Sequence, residues 1–307
     1  MTTLDESFYC SDRALQGEEP LPGTAPVVTT WFLLEYSGRW EPEAFKDSAL
    51  ADPIKTHLSS LLDSIPRSRI QMIRQQSRPT SEGVALYIVL SREVHPVLYA
   101  FQLASVEDLL TLDIAAVLAE DPAYAEFVQR EPLFLVCTHG RRDKCCSRYG
   151  LPVFDMMVQS VGERVWQSSH LAGHRFAANV VCFPHGIYYG RVRPEHVHTI
   201  VKDYRENQLY PALYRGRSCY TEPVQAAEYF LRSSTGITDL NAFRLLEVEC
   251  LTESVCEVRF YREAENLTHF LQLGEEELPI YTSCGDIAPS RVKHYRLMRH
   301  DVIGPPA

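Results

Sequence analysis

The chain has 307 residues, a formal net charge of −10 and 45% hydrophobic residues. That length exceeds one average domain, and the apolar fraction suffices for a large core, so no metal is needed to hold the fold together. The acidic balance argues against a broad nucleic-acid-binding face, and no apolar run approaches the roughly 18 residues of a membrane-spanning helix.

Residues 1–25 read as an irregular lead-in. The opening MTTLDESFYCSDR is acidic and lacks an apolar core, unlike a secretory signal or an Arg-rich transit peptide. EEPLPGTAP is punctuated by proline and glycine, and Cys10 is expected to be a free thiol. Residues 26–130 read as an N-terminal α/β lobe without ligands. In it VVTTWFLLEY is a β-rich run ending at the Ser37-Gly38 turn signal. The stretch from Glu43 to Leu62 is helical in character, with an interruption at Pro53. SRIQMIRQQ, GVALYIVLS and HPVLYAFQLA are three further strands. VEDLLTLDIAAVLAED carries helical periodicity, with Leu109, Leu110, Ile114 and Leu118 near one face.

The second lobe, residues 131–215, opens on a strand from Leu133 to Val136 that runs into Cys137. LPVFDMMVQSVGE reads as a helix and VWQSSHLAGH as a strand entering a loop. FAANVVCFP and GIYYGRV form a hairpin across Pro184-His185-Gly186. Pro194 suits the start of the helix that EHVHTIVKDYREN continues. The order β-α-β-β-β-α thus occurs twice, which predicts two related α/β lobes. Residues 216–307 read as a C-terminal α+β extension. EPVQAAEYFLRSST is its amphipathic helix, and NAFRLLEVECL, VCEVRFYRE, LTHFLQLG and KHYRLMR are its strands. LQLGEEELPIYTSCGD is expected to hold an acidic turn.

The chemistry concentrates in CTHGRRDKCC, Cys137 to Cys146, and in HLAGH, His170 to His174. Nine cysteines, an odd number, exclude a fully paired secreted framework. A strand ending at Cys137 and a loop returning at Cys146, or at its neighbour Cys145, can bring two sulfurs to one iron. His170 and His174 are four apart, so they converge on a helical turn or in a tight loop around Gly173. Two thiolates and two imidazoles suit a [2Fe–2S] cluster, and the imidazoles make its reduction easier. The spacing is not that of Rieske centres, where Cys and His alternate at short range. The same four ligands suit tetrahedral zinc, so the alternative is a zinc-bound or metal-free interaction module. Arg141, Arg142, Lys144, Arg148 and Arg175 place positive charge nearby. His139, inside the cysteine loop, reads as a turn residue or as a hydrogen-bond donor behind the ligands; His185 reads as a turn residue, Cys182 as core, and His196 and His198 as surface. Cys219, Cys250, Cys256 and Cys284 fall outside any ligand spacing.

FLVCTHGRRDKCC, VWQSSHLAGHRFAANVV and GIYYGRV resemble the sucrase/ferredoxin-like family of thioredoxin-like ferredoxins. The resemblance covers about residues 10 to 215, with a weaker echo at EPLPGTAP and WFLLEYSGRW. It implies two thioredoxin-like lobes, the second carrying the metal site, and a [2Fe–2S] cluster on Cys137, Cys146, His170 and His174. Cys145 departs from the fungal form of the loop. The function so implied is electron transfer, with proton coupling at the imidazoles and no catalytic residue. No GxGxxG fingerprint follows a strand, so the electron donor is expected to be a separate reductase and the acceptor another chain. Glycoside hydrolysis, which the family's name suggests, needs a carboxylate pair; Asp143 and Asp155 are available, but no spacing pairs them. A cytoplasmic location, with thiols kept reduced, fits the cysteine usage.

Overall fold

Strand-length apolar runs, each closed by a turn signal, build the first lobe. The computed structural model describes residues 8–75 and 82–305; residues 1–7 of the lead-in, and Gln76 at the end of the second strand candidate, lie outside them. Strands β1 (Thr30–Glu35), β2 (Ser68–Arg74), β3 (Val84–Leu90) and β4 (Val97–Leu103) fall on the four strand candidates. The lead-in is not wholly irregular, because α1 (Cys10–Gln16) forms there and buries Cys10, Ser11 and Ala14. Helix α2 (Asp52–Ser64) links β1 to β2. Pro53 starts this helix instead of interrupting it, since a first-turn residue has no intrahelical N–H bond to lose. The long helical pattern after β4 splits into a 3-10 turn, Val106–Leu110, and a short α3 (Ile114–Leu118). The break is made by Asp113, whose side chain accepts a hydrogen bond from the Ala116 N–H and caps a new start.

The second lobe contains β5 (Leu133–Cys137), α4 (Lys144–Val161), β6 (Val165–Ser168), β7 (Val180–Phe183), β8 (Ile187–Tyr189) and α5 (Val197–Arg205). With β9 (Tyr214–Arg217), all these strands form one nine-stranded sheet in the order β4-β3-β1-β2-β6-β5-β7-β8-β9. In the first lobe β1 is parallel to β2 and antiparallel to β3, which is antiparallel to β4. In the second, β5 is parallel to β6 and antiparallel to β7, which is antiparallel to β8. The two strand orders are therefore the same, and both are thioredoxin-like. The lobes join edge to edge where β2 and β6 pair antiparallel, Ile73 opposite Ser168 and Arg74 opposite Gln167.

Helix α6 (Glu222–Thr235) covers a separate antiparallel sheet of β10 (Arg244–Thr252), β11 (Val255–Arg262), β12 (Leu267–Ile280) and β13 (Ser290–Ile303). Val224, Leu231, Phe260, Leu271 and Leu273 fill the space between them. On its other side α6 presents Glu228, which accepts from Arg217 of β9 at 3.0 Å and from Arg232 at 2.9 Å. The three side chains are buried, so the charges are paired as burial demands. The turn expected in LQLGEEELPIYTSCGD falls at its end, where Asp286 accepts the Thr282 and Ser283 N–H groups. The glutamates lie before it in strand β12, with Glu275, Glu276 and Glu277 opposite Tyr295, His294 and Lys293. The Lys293–Glu275 pair at 2.9 Å shows how β13 offsets that charge across the strands. Cys250 and Cys256 stand opposite each other in register and form a disulfide, where free thiols were expected. No described helix is long and apolar enough to cross a membrane.

His185, at the β7–β8 turn, packs inward, and its Nδ1 lies 2.8 Å from the buried Tyr204 hydroxyl. Burial, aided by Arg217, holds its pKa down at about 3. An unfolded histidine titrates near about 6.5, so between these values the unfolded chain carries the extra proton and stability falls as pH falls. The expected contribution is about 1.4 kcal/mol per pH unit in that window and none above it. Urea unfolding at pH 7.5 and 5.5 should show a shallower acid loss for His185→Asn than for the parent; equal losses would contradict this.

Candidate metal centre

Cys137 is the last residue of β5, and Cys146 lies in the first turn of α4. The loop between them is shorter than CTHGRRDKCC suggests, because α4 begins at Lys144 and not near Leu151. Asp143 causes the early start: it is the N-cap, and its side chain accepts from the Cys145 N–H at 2.9 Å. Gly150, one turn beyond Cys146, lets α4 press against the strand end. A Cβ there would meet the Cys137 carbonyl oxygen at 2.0 Å. His170 follows β6, the parallel neighbour of β5, so both elements deliver their ligands from the same end of the sheet.

One donor atom from each of Cys137, Cys146 and His170 lies within 4.8 Å of the others. His170 Nδ1 is 3.8 Å from Cys146 Sγ. His174 stands outside that group but beside it, with its ring centroid 5.1 Å from that of His170. Its Nε2 is 3.7 Å from the Asp143 carboxylate, and its Nδ1 is buried without a hydrogen-bond partner. Cys145, the alternative to Cys146, points instead toward Cys10 and Cys284. A hydrogen bond from Cys146, with help from His170, holds the Cys137 thiol well below its ordinary range despite complete burial. The same hydrogen bond and burial push Cys146 up. Burial lowers His174 against the pull of Asp143, which favours the neutral, ligating form. The donor set of two sulfurs and two imidazoles, with an orphaned ring nitrogen facing inward, fits a thiophilic metal or an iron–sulfur cluster.

Several residues that position these ligands carry no sequence signal. His139, expected to be a turn residue or a donor behind the ligands, is 2% exposed and accepts the His170 backbone N–H at Nδ1. Arg69 and Gln71, on β2 of the ligand-free lobe, donate to the His170 carbonyl oxygen at 2.6 and 3.3 Å. Gln71 also donates to Ser169 Oγ. The first lobe therefore holds the histidine loop by its backbone. From the other side Arg215 on β9 donates to the Ala172 carbonyl oxygen at 3.1 Å and to Asn179 Oδ1 at 2.7 Å. Asn179 in turn donates to the Gly173 carbonyl oxygen. Ala172 and Gly173 both have φ of 70°, a left-handed pair that Arg215 and Asn179 lock. The nearby cations have other duties. Arg141 and Arg142 pair with Glu41 and Glu43, Arg175 pairs with Glu19, and Arg148 lies over Tyr9. Asp143 is buried at the start of α4 whereas Asp155 is exposed along it, so the two carboxylates do not face a common cleft as a hydrolytic pair would.

A strand end, a helix start and a returning loop thus bring cysteines and histidines together on a thioredoxin-like lobe, which defines a thioredoxin-like protein with a candidate Cys/His metal site. Residues 21–216, more than half of the chain, match the sucrase/ferredoxin-like family, and the chain belongs to that family. Its relatives include the altered inheritance of mitochondria protein 32 of Debaryomyces hansenii, 37% identical over 95 residues, which is 27% of this chain and 35% of that protein. The protein of the same name from Clavispora lusitaniae is 28% identical over 146 residues, 45% of this chain and 51% of that one. The matches therefore span about a third to a half of those relatives. Among solved structures, the wild-type thioredoxin-like [2Fe–2S] ferredoxin from Aquifex aeolicus aligns with a TM-score of 0.26 and 20% identity, over 29% of this chain and 100% of that one. Another structure of a thioredoxin-like [2Fe–2S] ferredoxin from the same organism gives 0.27 and 20%, over 29% and 94%.

Proposed function

We propose that the chain is a one-electron carrier holding a [2Fe–2S] cluster through Cys137, Cys146, His170 and His174. The observation that carries this reading is the convergence of Cys137, Cys146 and His170 within 4.8 Å, with His174 alongside. When bound, the cluster supplies a centre that takes up and releases one electron. The chain's own residues prepare the place. Cys137 already favours the thiolate, and His139, Arg69 and Gln71 fix the backbone of His170. Asp143 lies 3.7 Å from Nε2 of His174, so the buried, unpartnered Nδ1 would be the nitrogen free to hold a metal. Electrons come from a separate reductase and leave to a separate acceptor.

The test is the absorbance and EPR spectrum of anaerobically purified protein. Brown protein with about two irons per chain and a rhombic signal after dithionite is expected. Colourless, EPR-silent protein carrying only zinc on Cys137 and Cys146 would refute the proposal. His174→Cys should keep the iron and lower the reduction potential by on the order of 100 mV or more, since a thiolate adds negative charge. An unchanged potential would remove His174 from the ligand set.

A further inference from the structure

Beside the proposed cluster site lies a second group of thiols that it does not use. Cys10 comes from α1, Cys145 from the first turn of α4, and Cys284 from the loop between β12 and β13. Their sulfurs form a nearly regular triangle: 3.6 Å from Cys10 to Cys145, 3.3 Å from Cys145 to Cys284, and 3.6 Å from Cys284 to Cys10. The Asp143 carboxylate closes the group, with Oδ1 3.2 Å from Cys284 Sγ and 3.9 Å from Cys10 Sγ. One donor atom from each of the four lies within 4.8 Å of the rest. Cys10 and Cys145 are fully buried, and the Asp143 side chain is 1% exposed.

We propose that Cys10, Cys145, Cys284 and Asp143 form a structural zinc site. Zinc takes four ligands tetrahedrally from thiolates, imidazoles and carboxylates, and Zn–S bonds of about 2.3 Å hold sulfurs about 3.8 Å apart. The triangle need open by only a few tenths of an ångström to meet that. A divalent cation at its centre also offsets part of the negative charge of the buried carboxylate and of the thiols, which become thiolates on binding. A disulfide accounts for less, since it joins two of the sulfurs and leaves the third and the carboxylate unused. The backbone is already set for the clip. The Cys284 N–H donates to Asp143 Oδ2 at 3.0 Å, and the Cys10 N–H donates to Cys284 Sγ at 3.4 Å. Zinc here ties the first helix and the C-terminal sheet to the start of α4, one residue from Cys146.

The site shares no ligand with the proposed cluster, so the two readings fail separately. The full chain is loaded with Zn²⁺, desalted, and its zinc and iron are measured for the parent, Cys284→Ser, Cys10→Ser and Cys137→Ser. The parent should retain about one zinc per chain. Cys284→Ser and Cys10→Ser should retain at least about tenfold less, with iron unchanged, while Cys137→Ser keeps the zinc. Should the serine variants fail to fold, Co²⁺ replaces Zn²⁺ in Cys137→Ser, where sulfur-to-cobalt charge transfer of about three thiolates is expected. The proposal is overturned if the parent retains no zinc, if zinc loss follows Cys137 and not Cys284, if the cobalt bands are missing, or if intact mass shows a disulfide among the three.

Discussion

Gly150→Ala is expected to destabilise the fold by at least about 3 kcal/mol and to strip metal from the chain. The added Cβ would sit 2.0 Å from the Cys137 carbonyl oxygen and 3.1 Å from its carbonyl carbon. Both atoms are backbone of the central strand β5, so no side-chain rotation relieves the clash. Helix α4 must lift from the strand end, and Cys146 leaves Cys137 with it. Urea unfolding of the metal-free chain separates the packing loss from the metal loss, and metal content after purification reads the second. A variant within about 0.5 kcal/mol of the parent and fully loaded would show that the approach of α4 does not set the site.

Arg215→Met should cost about 2–4 kcal/mol and loosen the histidine loop. Arg215 is 1% exposed, and burial lowers its pKa to about 9. A buried guanidinium is itself unfavourable, so methionine of similar bulk recovers part of that cost. Against this, the carbonyl oxygens of Thr24 and Ala172 and the side-chain oxygen of Asn179 all lose a donor. Each buried acceptor left unpaired costs about 1–3 kcal/mol, so the loss outweighs the recovery. The ring of Phe176, 4.8 Å from the guanidinium, loses its cation as well. The measurement is the urea midpoint together with iron content, with Arg215→Lys as comparison. A stable variant whose iron is retained would show that Asn179 alone holds Ala172 and Gly173.

The strands were legible because each is a short apolar run closed by a turn signal, and the repeated β-α-β-β-β-α order carried through to matching strand orders. The candidate pairs were legible because their spacing is local, and the fold brings Cys137, Cys146 and His170 within 4.8 Å with the His174 ring beside them. What surrounds them was not. LPVFDMMVQSVGE placed the helix start at Leu151, whereas the signal that decides is Asp143, a good N-cap at the end of GRRD. Cys10 and Cys284 reach Cys145 across 135 and 139 residues, a separation that no motif records. Arg215, Asn179 and Arg69 act through hydrogen bonds to segments distant in the chain, Arg215 alone reaching Thr24, Ala172 and Asn179, and no local pattern marks them. The run of glutamates in β12 reads as strand only once its basic partner strand is known.

The seam between β2 and β6 gives the chain the character of a fused dimer. The loop after β1 occupies, in the first lobe, the place that CTHGRRDKCC occupies in the second, and the two loops touch. Trp40 meets His139 at 5.8 Å between ring centroids, and Glu41 pairs with Arg141 at 2.9 Å. The two lobes thus share a shape and differ in their side chains. Among the described residues the second lobe carries the Cys137, Cys146 and His170 group, and the first lobe packs against its loop. A symmetric dimer of such lobes would carry two equivalent donor groups. This chain carries the Cys137, Cys146 and His170 group once per pair of lobes.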